Sequence, residues 1–319
     1  MNYFLYQLEF NTAVHFGGAD SALSLYQSED HFRADTLFSA LCHTALQLDG
    51  ESGLNRLLEL ARKGELLLSD AMPWKEEQYY LPKPIYAPDV PPELPGEKRK
   101  LLKKRSWIPA ARFEEYCQAL KTGTLLDMEP VRFGSSSDVT KAAVPDFSDA
   151  TPYQVGLYRF CDDCGLWFLA ACSDDRDSDW LSSLISALGL TGIGGKVSAG
   201  YGKFSICDEI YLNEFFDDQT KWLHTALTRN ANASMLLTTS LPTEEEMDTA
   251  LDGASYQLTR RGGDSWHPTP TPKRPERSKP SISSVPVPFS GIATAVNCSG
   301  SERREITRYC ATPNPCSWG

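Results

Sequence analysis

A chain of 319 residues with 41% hydrophobic side chains holds enough apolar material for sizeable cores, and its length suits two domains of about 150 residues each. Its net charge of −11 excludes a protein that coats nucleic acid over its whole surface, while leaving room for a local basic track. No apolar run approaches the ~20 residues of a membrane span, and the start Met1-Asn2-Tyr3-Phe4-Leu5-Tyr6 lacks the basic and apolar regions of a secretory signal, so the expected location is the cytoplasm, away from any membrane.

Taken in chain order, residues 2–10 alternate apolar and polar and are rich in aromatics, the pattern of a half-buried strand. Residues 33–48 put Leu37, Leu41, Ala45 and Leu48 on one helical stripe, with Asp35 in the first turn as the capping carboxylate. A second short helix is expected over 54–60 and a strand over 65–69. From Pro82 to Gly96, six prolines exclude regular structure. Lys98 to Arg105 then places six cations in eight residues, followed by Trp107, which is either a phosphate-binding cluster or a solvated surface. Residues 112–149, including Phe133-Gly134-Ser135-Ser136-Ser137, show no steady period. Two alternating strands follow, 153–160 and 165–171, expected as a hairpin with Cys161-Asp162-Asp163-Cys164 as its turn. That cysteine pair has no second pair at zinc-site spacing and reads as two reduced thiols, so no metal is expected. A helix over 180–188, a strand over 234–240, a helix over 244–251 and a strand over 255–259 complete the pattern.

One segment stands apart. Residues 192–204 read Gly-Ile-Gly-Gly-Lys-Val-Ser-Ala-Gly-Tyr-Gly-Lys-Phe, with glycines that permit positive φ and bring backbone amides close to a ligand. Lys196 adds a point charge and Ser198 a hydroxyl. The spacing is not that of a nucleotide-binding P-loop. On the residues alone, a phosphate cradle and a flexible turn between two strands stand level.

This loop resembles the glycine-rich loop of the RAMP superfamily, the RRM-like proteins of CRISPR systems. Three further segments follow the expected order: His15-Phe16-Gly17-Gly18, Phe32-Arg33-Ala34-Asp35-Thr36-Leu37-Phe38-Ser39-Ala40-Leu41 and Leu81-Pro82-Lys83-Pro84. Together they narrow the resemblance, over residues 1–263, to the fourth-subunit family of type III-A effector complexes, within the Cas-five group that caps the 5′ end of the guide RNA. The resemblance implies an α+β fold of two ferredoxin-like β-α-β-β-α-β domains, 1–150 and 151–263, with a thumb-like insertion around 85–150. It also implies a non-catalytic subunit that carries the 5′ tag of the CRISPR guide RNA as a single strand across a sheet face and the glycine loop. Its neighbours would be the large polymerase-like signalling subunit and a backbone RAMP subunit, with target RNA met only indirectly and no cofactor.

The implied RNA-binding residues are Gly194, Gly195, Lys196, Ser198, Gly200, Tyr201 and Gly202 in the loop, and His15, Phe16 and Gly17 after the first strand. Arg33 and Thr36 at the helix start, Lys83, and Arg132, Lys141 and Tyr153 in the insertion complete the set, with His15, Phe16 and Tyr201 available for stacking. The competing reading is a repeat-processing endoribonuclease with His15 as general acid or base and Lys196 as its only second group. From Asp264 onward the chain carries nine of its 21 prolines and three of its nine cysteines without a sustained period. This tail is either disordered or the product of a frameshift; the latter is favoured, because another frame of residues 308–319 can encode V-L-R-Y-A-K-P-L-F-L-G, similar to a family C-terminus that supplies a closing strand.

Overall fold

The computed structural model describes residues 1–18, 23–85, 100, 104–122, 124, 126–143, 151–214, 217–229, 233–240, 254–258 and 293–296. In chain order its elements are β1 (Asn2–Phe10), β2 (Phe16–Gly17), β3 (Ser28–Glu29), α1 (Ala34–Arg62), β4 (Leu66–Leu68), β5 (Met72–Lys75), β6 (Gln78–Pro82), β7 (Trp107–Pro109) and α2 (Phe113–Thr122). There follow β8 (Gly134–Ala143), β9 (Thr151–Phe160), β10 (Cys164–Cys172), α3 (Asp175–Thr191), β11 (Phe204–Tyr211), α4 (Asp218–Thr228), β12 (Ala233–Leu236) and β13 (Ala293–Val296). The main sheet is antiparallel and seven-stranded, in the order β11-β1-β10-β5-β6-β7, with β4 also on β10.

Strand alternation sets the layering. In β1, Tyr6 and Leu8 point to one core and Leu5 to the other; in β10, Leu166, Phe168 and Ala170 join the first, Trp167 and Leu169 the second. The first core is closed by α1 and α3 through Leu37, Leu41, Leu57, Leu181 and Ile185. The second is closed by α2 and α4 through Phe113, Tyr116 and Leu223. Each such buried side chain stabilises the fold by ~1.5–3 kcal/mol. β10 is buried along its whole length, so both of its faces and both of its edges are occupied. That is why the expected hairpin of 153–160 with 165–171 does not form: β1 takes one edge of β10, β4 and β5 the other, and β9 pairs instead with β8 over its full ten residues. The Cys161–Cys164 segment is a turn, with Asp163 at φ 55°, between strands that belong to different sheets.

Strands from both sides of residue 150 share the main sheet, since β1 lies between β10 and β11. The two helices expected over 33–48 and 54–60 are arms of α1, which breaks at Gly50 (φ 66°) and shifts its buried stripe to Leu57, Leu60 and Ala61; Leu48 falls outside the stripe and is exposed. Of the strand expected over 234–240, Ala233–Leu236 forms β12, which pairs with β13. The strand expected over 255–259 is absent from the described residues 254–258, where Tyr256 and Leu258 lie exposed instead of packed. The helix expected over 244–251 lies outside the described residues, as does the tail beyond 264 apart from β13.

Asp35 serves α1 from within its first turn and not from the N-cap position, which Arg33 holds. Its carboxylate accepts from the Thr36 amide within the first turn, while the Ala34 amide donates to Asp70 Oδ1 at 2.8 Å, a cap delivered from the turn after β4. Arg33 Nη1 reaches Asp70 Oδ2 at 3.4 Å and the Thr238 hydroxyl reaches Oδ1 at 3.3 Å. Burial lifts the Asp70 carboxyl above its usual range against the pull of the Ala34 amide and Arg33. Asp70→Ala is therefore expected to destabilise the protein by ~1–2 kcal/mol, the effect of losing a helix cap, with Asp70→Asn costing less because it keeps the Oδ1 acceptor. Urea titration of the two variants checks this, and equal losses would show that the cap is not what Asp70 contributes.

Candidate nucleic-acid interface

The glycine loop connects a helix to an edge strand. α3 ends at Thr191, the Gly192 amide donates to Leu188 O at 2.7 Å, and a 3-10 turn at Val197–Ala199 precedes β11. Its path is laced to the segment after β1, Gly195 N–H donating to His15 O (2.8 Å) and Gly202 N–H to Ala13 O (2.9 Å), and is closed across its own base by Ile193 N–H donating to Gly202 O (2.9 Å). That segment in turn joins β9, because Val14 and Tyr158 exchange amide hydrogen bonds of 2.8 and 2.9 Å.

On sequence, the loop glycines are expected to let a ligand come close. The structure assigns much of their smallness to the protein itself. A Cβ on Gly195 would lie 2.5 Å from His15 Cδ2, and one on Gly202 (φ 76°) 2.1 Å from Ile193 O. Gly194 abuts His15 O and the Phe16 ring, while Gly200 (φ 87°) faces open space. Ser198 is exposed in the 3-10 turn.

Four of the expected residues converge. Lys141 of β8 places Nζ 4.5 Å from the Tyr201 ring centre of the loop, and Lys196 of the loop places Nζ 5.2 Å from the Tyr153 ring centre of β9. Lys141 and Tyr153 are themselves cross-strand partners. The two ammonium–aromatic pairs thus cross between ribbon and loop in opposite directions, each within the range of a favourable cation–π contact. Beneath them Ala13, Val155 and Leu157 form a small buried cluster against which Val139, Tyr153 and Tyr201 pack. All four side chains remain partly exposed, so cationic heads and aromatic surface face solvent together.

The other expected residues do different work. Phe16 is buried against Phe10 and Phe32, with ring centres 6.0 and 5.5 Å away, and has no face to offer a base. His15 is 6% exposed, with Nδ1 2.7 Å from Gly156 O, so it is not placed to stack on RNA either. Gly17 pairs with Ser28 in the short β2–β3 ladder. Arg33 is engaged by Asp70 and the Thr239 hydroxyl, and Thr36 by Asp35, instead of presenting an open phosphate site at the helix start. Lys83 is partly buried, and burial followed by the nearby Arg105 lowers its ammonium pKa. Arg132 is exposed and donates from Nε to Gly134 O at the root of the ribbon, seven residue pairs from Lys141, or about 23 Å at the rise of a strand. Of the basic run 98–105, only Lys100, Lys104 and Arg105 lie among the described residues, and Arg105 donates to Met128 O. Over β11, β1 and β10 a helix-closed core covers each face of the sheet among the described residues, which leaves no open face there for a strand of RNA.

Gly156 and Ala13 escaped the sequence reading although their backbones anchor this arrangement. A glycine within an apolar strand is the signal that could have found the first, since it marks a close backbone approach: a Cβ on Gly156 would lie 2.3 Å from Tyr26 O. Among the described residues no group of three or more His, Cys, Asp and Glu side chains could hold a metal, and no helix is long and apolar enough to cross a membrane.

No family model matches the chain. Among curated proteins it is 33% identical over 266 residues to the "CRISPR system Cms protein Csm4" of Mycobacterium tuberculosis, covering 82% of this chain and 80% of the relative. It is 31% identical over 270 residues to the protein of the same name from Streptococcus thermophilus, covering 82% and 81%. Among solved structures it is similar to a chain of the "Csm3-Csm4 subcomplex in the type III-A CRISPR-Cas interference complex", at 15% identity, 78% and 81% coverage and a TM-score of 0.49. The chain belongs to the Csm4 family of CRISPR proteins. This is the family that its four sequence segments resemble.

Proposed function

We propose that this chain is a non-catalytic, cytoplasmic subunit of a type III-A CRISPR complex that binds the 5′ tag of the guide RNA and joins it to the large polymerase-like signalling subunit and a backbone RAMP subunit. The observation that carries the reading is the convergence of Lys141, Tyr153, Lys196 and Tyr201 where the glycine loop meets the β8–β9 ribbon. A single strand needs cations for its phosphates and aromatic faces for its bases, and this site presents both without a hydrogen-bonding pattern that would select one base. The tag then runs along the ribbon and the loop and not over the sheet. The ribbon takes the role of the thumb. The order β11-β1-β10-β4, with α1 and α3 on one face, supports one ferredoxin-like unit whose middle connection carries the insertions. Acidic surface elsewhere is available to the protein neighbours.

The burial of His15 and the engagement of its Nδ1 support the non-catalytic reading, because a general acid or base must reach the proton it transfers. The test is incubation of the purified chain with labelled repeat RNA and with tag-bearing guide, without divalent metal. Retention of the guide without cleavage is expected. Site-specific cleavage of the repeat would replace this reading with the endoribonuclease.

A further inference from the structure

We infer that His15 is a positioning residue: it fixes the glycine loop and the β8–β9 ribbon at one separation, and thereby sets the Lys141–Tyr201 and Lys196–Tyr153 pairs. The inference rests on the proposed RNA-binding reading only for its functional consequence; its structural half stands on the contacts of one side chain. The imidazole Nδ1 lies 2.7 Å from Gly156 O. A carbonyl can only accept, so Nδ1 carries the hydrogen and donates it to the ribbon. The same residue's carbonyl accepts the Gly195 amide of the loop at 2.8 Å. The opposite edge of the ring rests against Gly195, whose missing Cβ would stand 2.5 Å from Cδ2. One buried residue therefore touches the ribbon with its ring nitrogen and the loop with its ring carbon and backbone oxygen.

Its sequence neighbours add backbone ties on either side, Ala13 O accepting the Gly202 amide of the loop and Val14 pairing with the ribbon, so the imidazole is a side-chain brace laid across a strip already bonded to both. Val14 exchanges hydrogen bonds with Tyr158, and Phe16 donates its amide to Ser28 Oγ while its ring enters the core. Separation matters here because both lysines reach across the gap, Lys141 from ribbon to loop and Lys196 from loop to ribbon, to rings 4.5 and 5.2 Å away. Cation–π attraction fades beyond about 6 Å, so a backbone shift of about two ångströms would carry both pairs out of range at once. A phosphate and a base held by such a site would lose their spacing with them.

The test uses the full chain and two readouts, hydrogen exchange of peptides spanning 151–160 and 192–203, and affinity for tag-bearing guide RNA at fixed salt. His15→Leu removes the donor. It is expected to speed exchange in both segments while β10 stays protected, and to weaken the guide by about three- to tenfold, the factor that one ordinary hydrogen bond commands. His15→Asn, whose amide nitrogen can stand in for Nδ1, is expected to restore protection and affinity. Gly195→Ala retains the imidazole but pushes it off its seat, and is expected to loosen the same two segments, which keeps the proposal testable if His15→Leu fails to fold. Native protection in His15→Leu and Gly195→Ala would overturn the proposal, as would an asparagine variant no better than leucine. If exchange responds as expected while the guide binds as tightly as before, the positioning role stands and the RNA-binding reading falls.

Discussion

Reversing both lysines of the cluster, Lys141→Glu with Lys196→Glu, is expected to weaken binding of tag-bearing guide RNA by about a hundredfold at low salt, with little change in melting temperature. The two ammonium groups sit over the Tyr201 and Tyr153 rings but remain partly exposed, so they stabilise the fold only weakly. Their larger effect falls on phosphates. For a single strand, the slope of log K against log salt is expected to shrink by about 0.7 for each phosphate that the protein no longer neutralises, so filter binding across a salt series measures how many phosphates the pair engages. Tyr153→Leu and Tyr201→Leu are expected to behave differently. Each removes a stacking surface worth ~1–3 kcal/mol and leaves the salt slope unchanged. An unaltered affinity and slope in the lysine double variant would take the cluster out of the RNA site, whatever the tyrosine variants do.

The parts of this molecule that were legible in the sequence are those whose signal is local. β1 shows its half-buried alternation, the α1 stripe is readable through Leu37, Leu41 and Ala45, and the glycine loop stands out by composition. Pairing was not legible, because a strand's partner is set by distant residues. β10 carries apolar side chains in both phases, which shows that it is central, yet nothing within it says that β1 and β5 flank it and β9 does not. The β8 arm, Gly-Ser-Ser-Ser-Asp-Val-Thr-Lys-Ala-Ala, has no alternation to find, since β9 is its one strand partner among the described residues and most of its length is exposed. The candidate site divides the same way. Lys196 and Tyr201 were found through the loop motif and Lys141 and Tyr153 only by position; the β8–β9 register sets the second pair side by side, and the bonds of residues 13–15 to loop and ribbon bring the first pair to it. His15 and Phe16 misled for the opposite reason: beside a glycine pair they look like loop residues, whereas the fold turns both inward.

Gly202→Val is expected to be the most destabilising single change in the loop, at about 3 kcal/mol or more, while Gly200→Ala costs about 1–2 kcal/mol. Both glycines take positive φ, 76° and 87°, so both substitutions meet the strain of a left-handed residue. Only Gly202 is also enclosed. Its amide donates to Ala13 O and its carbonyl accepts from Ile193, and a Cβ there would stand 2.1 Å from Ile193 O, whereas one on Gly200 meets nothing within 4 Å. Valine adds a β-branch to a backbone that cannot retreat without breaking the Ile193 bond that closes the loop and the Ala13 bond that aligns it with the segment carrying His15. At ~2–4 °C per kcal/mol, the melting midpoint is expected to fall by roughly 6–12 °C for Gly202→Val and by roughly 2–8 °C for Gly200→Ala. Guide binding adds the decisive comparison. If Gly202 serves the fold, the valine variant loses RNA affinity in step with its stability, and the alanine variant at Gly200 binds nearly as the native chain does. If instead Gly202→Val melts normally and loses only RNA, the glycine is there for the ligand, and the packing account of this loop is wrong.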